Sequence, residues 1–516
     1  MRRPVVLVVV VVLLVVTLVG GVLTGVLITS AETAKPSAAP SAESTWPTPA
    51  PISWSACSEA SLRAAGAQCA TVPVPMDWST PRDGRTVRLA ISRVEHTSTP
   101  YAGVILVNPG GPGASGLDLS TTGSRVPGGV GKRYDWIGFD PRGVGASTPR
   151  VSCIKDYADG PRPAYDSPST IERWKTLSED YATACGRKNG ALLSHMTTRD
   201  TATDMEYLRI ALGVQRISYY GYSYGTYLGQ VFATLYPHSL DRMVLDSTVD
   251  PSRVWYGANY DQDLAFQTVI RQWFTWLARY DSVYGLGSTS KAVEATYDRL
   301  SARLAAHPAQ GVFGSAELTD TLLYAGYAQS TWPGLGEAFA RADQGDASLA
   351  IEYWRALNDT TDDNEYAVYL AVECTDQAWP SDWATWEADT KRVAAQAPFE
   401  TWGNTWYNAP CRTWPVKAGT PVEVNGSKVG GVLMIDETLD AATPFAGSLA
   451  VRKLFPRASL LAEPGGTTHA DSLSGNSCVD TTVARYLADG TLPARKAGDG
   501  PDATCAPLPV PTPTSR

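Results

Sequence analysis

Gly221-Tyr222-Ser223-Tyr224-Gly225 lies between two segments of different periodicity. Upstream, Arg216-Ile217-Ser218-Tyr219-Tyr220 is β-branched and aromatic, as a short buried strand requires. Downstream, residues 226–235 place Leu228, Val231, Phe232 and Leu235 along one helical face. A strand, a Gly-x-Ser-x-Gly turn and a helix predict a nucleophile elbow with Ser223 at its tip. The turn is so sharp that the residues flanking it must be nearly free of side chains, hence Gly221 and Gly225. Gly229 would let the helix pack close to the strands. The plain alternative is a Gly-rich turn with an ordinary serine; the flanking elements favour a nucleophile.

Outward from the elbow the chain alternates strands with helices. Residues 86–94 alternate as a strand, and the apolar run 103–107 suits a central parallel strand. That run ends in Asn108-Pro109-Gly110-Gly111-Pro112-Gly113. A second strand, 134–139, leads into Asp140-Pro141-Arg142-Gly143, a helix over 203–212 precedes the elbow, and a strand over 242–246 follows it. Residues 251–410 instead repeat apolar positions at helical spacing. Strand character returns at Val432-Leu433-Met434-Ile435 and again at 459–461. The pattern predicts an α/β fold with a mostly parallel sheet, interrupted by a mostly helical cap.

The 516 residues carry a net charge of -9, with no basic cluster of the kind that marks a nucleic-acid footprint, so that class of partner is set aside. Met1-Arg2-Arg3 precedes an apolar run over 5–28, which reads as a signal peptide or a retained membrane anchor. Either reading places the rest of the chain outside the cytoplasm. Eight cysteines fit that compartment. Sequential pairing, Cys57 with Cys69, Cys153 with Cys185, Cys374 with Cys411 and Cys478 with Cys505, is expected because each couple closes a local loop. No Cys-x-x-Cys pair or histidine cluster has zinc-ligand spacing, so no metal is expected there.

A serine needs a base, and the base needs a carboxylate to orient it. Of five histidines, only His469 follows a late strand, in a loop behind Gly465-Gly466. Asp440 stands after the preceding strand, where open α/β sheets present functional groups. Asp246, ending the strand after the elbow, is the rival position. The order Ser223, Asp440, His469 is that of the α/β-hydrolases. Oxyanion donors are expected from the backbone N–H groups of Tyr224 and Gly111. The glycine loop lacks the Lys-Ser/Thr of a phosphate loop, and Pro112 removes a donor that a dinucleotide would need.

These motifs, with Leu439-Asp440-Ala441-Ala442-Thr443-Pro444, resemble the exported actinobacterial tripeptidyl aminopeptidases and the related proline-iminopeptidase-like α/β-hydrolases. The resemblance covers about residues 55–505. It implies an α/β-hydrolase core and a helical cap, which the strand and helix pattern places over 51–250 with 411–505 and over 251–410. The apolar run and composition add a leader or anchor (1–31), an Ala/Pro/Ser/Thr-rich linker (32–50) and a Pro-rich tail expected to be disordered (506–516). The resemblance also implies a serine exopeptidase, with no cofactor, that cleaves short peptides from a free N-terminus. Glu373 and Asp376, beside Cys374, are the expected binders of the substrate ammonium. A carboxylic or lipid esterase with the same triad is the alternative; a non-catalytic surface binding protein is a third reading. Relatives often carry Gly-His-Gly where this chain has Thr468-His469-Ala470.

Overall fold

The computed structural model describes residues 46–358 and 361–513. The expected leader or anchor over 1–31, and the linker up to residue 45, lie outside them. Among the described residues no helix is long and apolar enough to cross a membrane.

Ten strands form one sheet: β1 (Ser55–Ala56), β2 (Gln68–Pro75), β3 (Thr86–Val94), β4 (Gly103–Asn108), β5 (Tyr134–Phe139), β6 (Ile217–Tyr222), β7 (Leu240–Asp246), β8 (Val432–Glu437), β9 (Ala458–Glu463) and β10 (Ala503–Thr504). Their order is β1-β2-β3-β5-β4-β6-β7-β8-β9-β10. The first three pairings are antiparallel and all later ones, from β5-β4 to β9-β10, are parallel. The central strands β6, β8 and β9 are buried at every residue, so both faces of the sheet are covered. β2 carries Pro73 and Pro75, which a central strand would reject. It tolerates them because β1 pairs only with Gln68 and Cys69, leaving the rest of that side unpaired.

Between β7 and β8 the chain is helical, from Tyr256 to Thr413, with no strand among the described residues. Much of this region has its own core, in which Phe266, Trp273, Trp332 and Phe339 are buried. Sequence periodicity passes over the helix Ile171–Asn189, which follows β5. Its disulfide, Cys153–Cys185, ties it to the loop after β5. The other disulfides join Cys57–Cys69, Cys374–Cys411 and Cys478–Cys505. The Pro-rich end differs from the disordered tail expected of it: the Trp276 indole donates to the Pro511 carbonyl at 2.8 Å. Extended Pro-rich chain makes no internal hydrogen bonds, so its composition alone does not reveal such docking.

Arg142, from the Asp140-Pro141-Arg142-Gly143 motif, is buried with Asp204 of the helix Thr198–Ala211. The guanidinium donates to both carboxylate oxygens, at 2.8 and 2.6 Å, and to the carbonyls of Met76 and His195. Removing one partner strands the other charge in the core. Arg142→Met is therefore expected to destabilise the fold by about 3–5 kcal/mol in urea denaturation, and Arg142→Met with Asp204→Met to recover most of that loss. A single-variant loss below about 1 kcal/mol would contradict the pairing.

Candidate active site

Ser223 sits between β6 and the helix Tyr224–Leu235 at φ 54°, ψ -128°, a strained backbone for a side-chain-bearing residue. The surrounding glycines permit it. A Cβ on Gly221 would lie 2.4 Å from the Gly225 carbonyl oxygen, and one on Gly225 would lie 2.7 Å from the Asn108 carbonyl oxygen. The glycine loop after β4 runs directly alongside. A Cβ on Gly110 would meet Tyr222 O at 2.7 Å, Ser223 Cβ at 2.8 Å and Tyr224 N at 2.9 Å. Gly111 follows at φ 102°. The elbow and the glycine loop thus bring Tyr224 N close to Gly110, with Gly111 next in the loop. Asp140 steadies the loop, accepting from Ser115 Oγ at 2.6 Å, Gly116 N at 3.0 Å and Ala146 N at 2.8 Å.

Asp440 and His469 meet. His469 Nδ1 donates to Asp440 Oδ2 at 2.7 Å. Asp440 is held in turn by Ala442 N at 2.9 Å, Thr443 N at 3.0 Å and Thr443 Oγ1 at 2.9 Å. Those donors explain the sequence around it: the short loop 440–444 folds back on its own aspartate. Burial opposes charging the imidazole, but the charge and hydrogen bond of Asp440 outweigh it and hold His469 above its ordinary 6.5. For Asp440, burial raises and His469 lowers; the net is a carboxyl below its ordinary value.

The rival acid, Asp246, serves a different purpose. Its carboxylate accepts from Ser472 N at 2.9 Å and from Ser472 Oγ. Its carbonyl accepts the Ser223 N–H at 3.1 Å, and the neighbouring Ser247 Oγ accepts Ala470 N–H at 2.8 Å. The end of β7 therefore ties the elbow to the histidine loop. Neither contact is legible in the sequence, because strand-end residues so distant along the chain carry no spacing signal.

Glu373 and Asp376 both lie on the buried helix Asn364–Asp376. Asp376 departs from the amine-binding expectation. Its carboxylate accepts from Thr198 N at 2.7 Å, Thr198 Oγ1 at 2.6 Å and Trp255 Nε1 at 3.3 Å, so its oxygens are occupied in holding the cap to the core. Glu373 lies against Tyr369, which hydrogen-bonds it, and takes a long contact from Asn259 Nδ2 at 3.5 Å, while burial pushes its carboxyl up to about 8. Sequence reasoning passes over two further cap acids, Asp263 and Glu400. Each is buried, with one carboxylate oxygen lacking a partner. Tyr327, between the cap and the histidine, takes the His469 N–H on its carbonyl at 2.8 Å, and its ring stands edge-on to the imidazole.

Fold and family define the class: residues 103–367 match the family model described as alpha/beta hydrolase fold. Residues 397–505 match the one described as TAP-like protein. The tripeptidyl aminopeptidase of Streptomyces lividans is 40% identical over 479 residues, covering 90% of this chain and 88% of that protein. Serine protease Hip1 of Mycobacterium tuberculosis is 29% identical, covering 86% and 90%. Carboxylesterase B of the same organism is 32% identical, covering 86% and 88%. The chain belongs to the tripeptidyl aminopeptidase-like family of α/β-hydrolases and is a serine hydrolase.

Ala470, directly after His469, adopts φ 59°. Left-handed backbone costs alanine about 1–2 kcal/mol. Ala470→Gly is expected to raise stability by about 1 kcal/mol in urea denaturation, net of the entropy that glycine adds to the unfolded chain. A destabilised variant would refute the strain at that position.

Proposed function

We propose that the protein is an exopeptidase releasing short N-terminal peptides through an acyl-enzyme on Ser223. The observation that carries this reading is the 2.7 Å pair between His469 and Asp440, in a loop tied through β7 to the serine turn. His469 takes the Ser223 proton as Oγ adds to the scissile carbonyl, and Asp440 stabilises the imidazolium. The N–H groups of Tyr224 and Gly111 receive the oxyanion. The C–N bond then breaks, the amine leaves with the proton held by His469, and water repeats the sequence in reverse to free the acyl peptide. Each step uses the chain's own groups and one water.

An exopeptidase must also hold the substrate's free ammonium. Glu373 is our candidate, buried beside Tyr369 and Asn259 with no cation paired to it among the described residues, on a helix fixed by Cys374–Cys411. The cap would limit how many residues fit between that acid and the serine. The four disulfides suit an extracytoplasmic protein. The apolar run over 5–28 would deliver it there, as a cleaved leader or a retained anchor. The similarity to carboxylesterase B supports a second reading, an esterase with the same triad.

Ser223→Ala is expected to cut kcat on tripeptidyl arylamides by at least about 10⁴-fold with the fold intact; near-normal turnover would remove Ser223 from the mechanism. Glu373→Gln is expected to raise KM about tenfold for free-amine substrates and to leave N-blocked ones unchanged, a difference of about 1.4 kcal/mol. Equal turnover of blocked and free substrates by the parent enzyme, with ester preferred to amide, would favour the esterase reading.

The pH dependence follows from the sign of the histidine shift. Only neutral His469 can accept the serine proton, so kcat/KM should climb as pH rises through a value above 6.5. Asp440→Asn removes the main raising partner and leaves burial, the largest influence and a lowering one, against the smaller raising charge of Asp246. The acid limb should then move below 6.5 while kcat falls by about 10⁴-fold. An unmoved limb would show that another group sets it.

A further inference from the structure

Beneath the histidine loop, three carboxylates from separate stretches of chain come together. Glu437 ends β8, Glu463 ends β9, and Asp471 lies two residues beyond His469. One carboxylate oxygen from each lies within 4.8 Å of the others. All three are buried, with relative exposures of 4%, 0% and 7%. Glu437 accepts the Thr468 N–H, and Glu463 Oε2 accepts from Asn476 Nδ2 at 2.5 Å. Glu463 Oε1 and Asp471 Oδ2, both enclosed, have no hydrogen-bond partner. No Lys or Arg forms an ion pair with any of the three among the described residues.

Such a cluster is costly as it stands. Burying one carboxylate without a partner costs several kcal/mol, and three together repel one another. A positive centre among the oxygens would relieve both penalties and give the two orphan oxygens a partner.

We propose that Glu437, Glu463 and Asp471 bind a calcium ion that pins the His469 loop to the ends of β8 and β9. The donors are all hard oxygens, with no nitrogen or sulfur that would suit zinc. Three oxygens spread evenly around one calcium, at bonds of about 2.3–2.6 Å, lie about 4.0–4.5 Å apart, so a cluster within 4.8 Å needs at most a shift of a few tenths of an ångström to hold the ion. Outside the cytoplasm, affinity in the range of about 10⁻⁴–10⁻³ M is sufficient for such a site. No sequence motif announces it, because the three ligands come from two strand ends and a loop. The ion would also brace the candidate dyad, since Asp440 N donates to the Glu437 carbonyl at 3.1 Å and Asp471 is close in sequence to His469. That consequence rests on the catalytic reading; binding of the ion does not.

The test uses the full folded protein, freed of metal with EDTA. Calcium added at millimolar concentration is expected to raise Tm saturably, by at least about 3 °C. Terbium should bind with one-to-one stoichiometry, show tryptophan-sensitised emission and be displaced by calcium. Asp471→Asn and Glu463→Gln should each weaken calcium binding at least tenfold, and either one suffices if the other does not fold. A Tm unmoved by calcium, or moved equally by sodium at matched ionic strength, would overturn the site. So would calcium binding left unchanged in both variants. None of these measurements depends on peptidase activity, so a failure here is distinct from a failure of the proposed reaction.

Discussion

One strand end bears two loops. At the close of β7, the Asp246 carbonyl takes the Ser223 N–H while its carboxylate takes both donors of Ser472, and Ser247 takes the Ala470 N–H. The serine turn and the histidine loop are distant in sequence, and without a shared anchor their separation would vary with every fluctuation of the loop. Catalysis of the proposed kind tolerates little such error, since a misplacement of about 1 Å can cost about a hundredfold in rate. The anchor is itself under strain. Ser223, Ser247, Ala470 and Leu473 are four of the five non-glycine residues with positive φ among the described residues. Strain concentrated there is tolerable because buried hydrogen bonds determine the conformation.

The cap is fixed to this rim by the same means. Asp363 accepts from Ser152 Oγ, Cys153 N and Ile154 N, and Asn364 bonds Gly143, Gly145 and Val151. A Cβ on Gly113 would lie 2.4 Å from the Glu365 carbonyl oxygen, so the start of the helix Asn364–Asp376 lies directly against the glycine loop. Asp376 fastens the other end of that helix to Thr198, whose hydroxyl lies 2.8 Å from the Tyr224 hydroxyl. A helix held at both ends and by a disulfide presents Glu373 in one orientation, as the ammonium recognition proposed for it would require.

Much of this was legible in the sequence for identifiable reasons. Parallel strands buried on both faces read as unbroken apolar runs, and β4 and the first four residues of β8 show them plainly. The elbow announces itself because few residue types can make so tight a turn. Other features leave no such trace. The helix Ile171–Asn189 buries Trp174, Tyr181 and Cys185 on one face, but Ser178 breaks that face, and its N-cap makes no side-chain bond that a motif would encode. Two prolines hide β2. Asp376 reads as a free acid beside a cysteine, yet its bonding to Thr198 and Trp255 depends on packing between distant segments. The buried acids Asp263, Glu400, Glu463 and Asp471 are likewise ordinary in sequence, and only their enclosure sets them apart.

The central claim is that Ser223 is activated by a histidine brought to it from the far end of the chain. Reaction of the folded protein with a fluorophosphonate, followed by peptide mapping, tests this most directly. The account predicts one phosphonyl group per chain, on Ser223, and its loss when His469 is replaced by alanine. Labelling at another residue, or labelling of Ser223 at the same rate without His469, would contradict it.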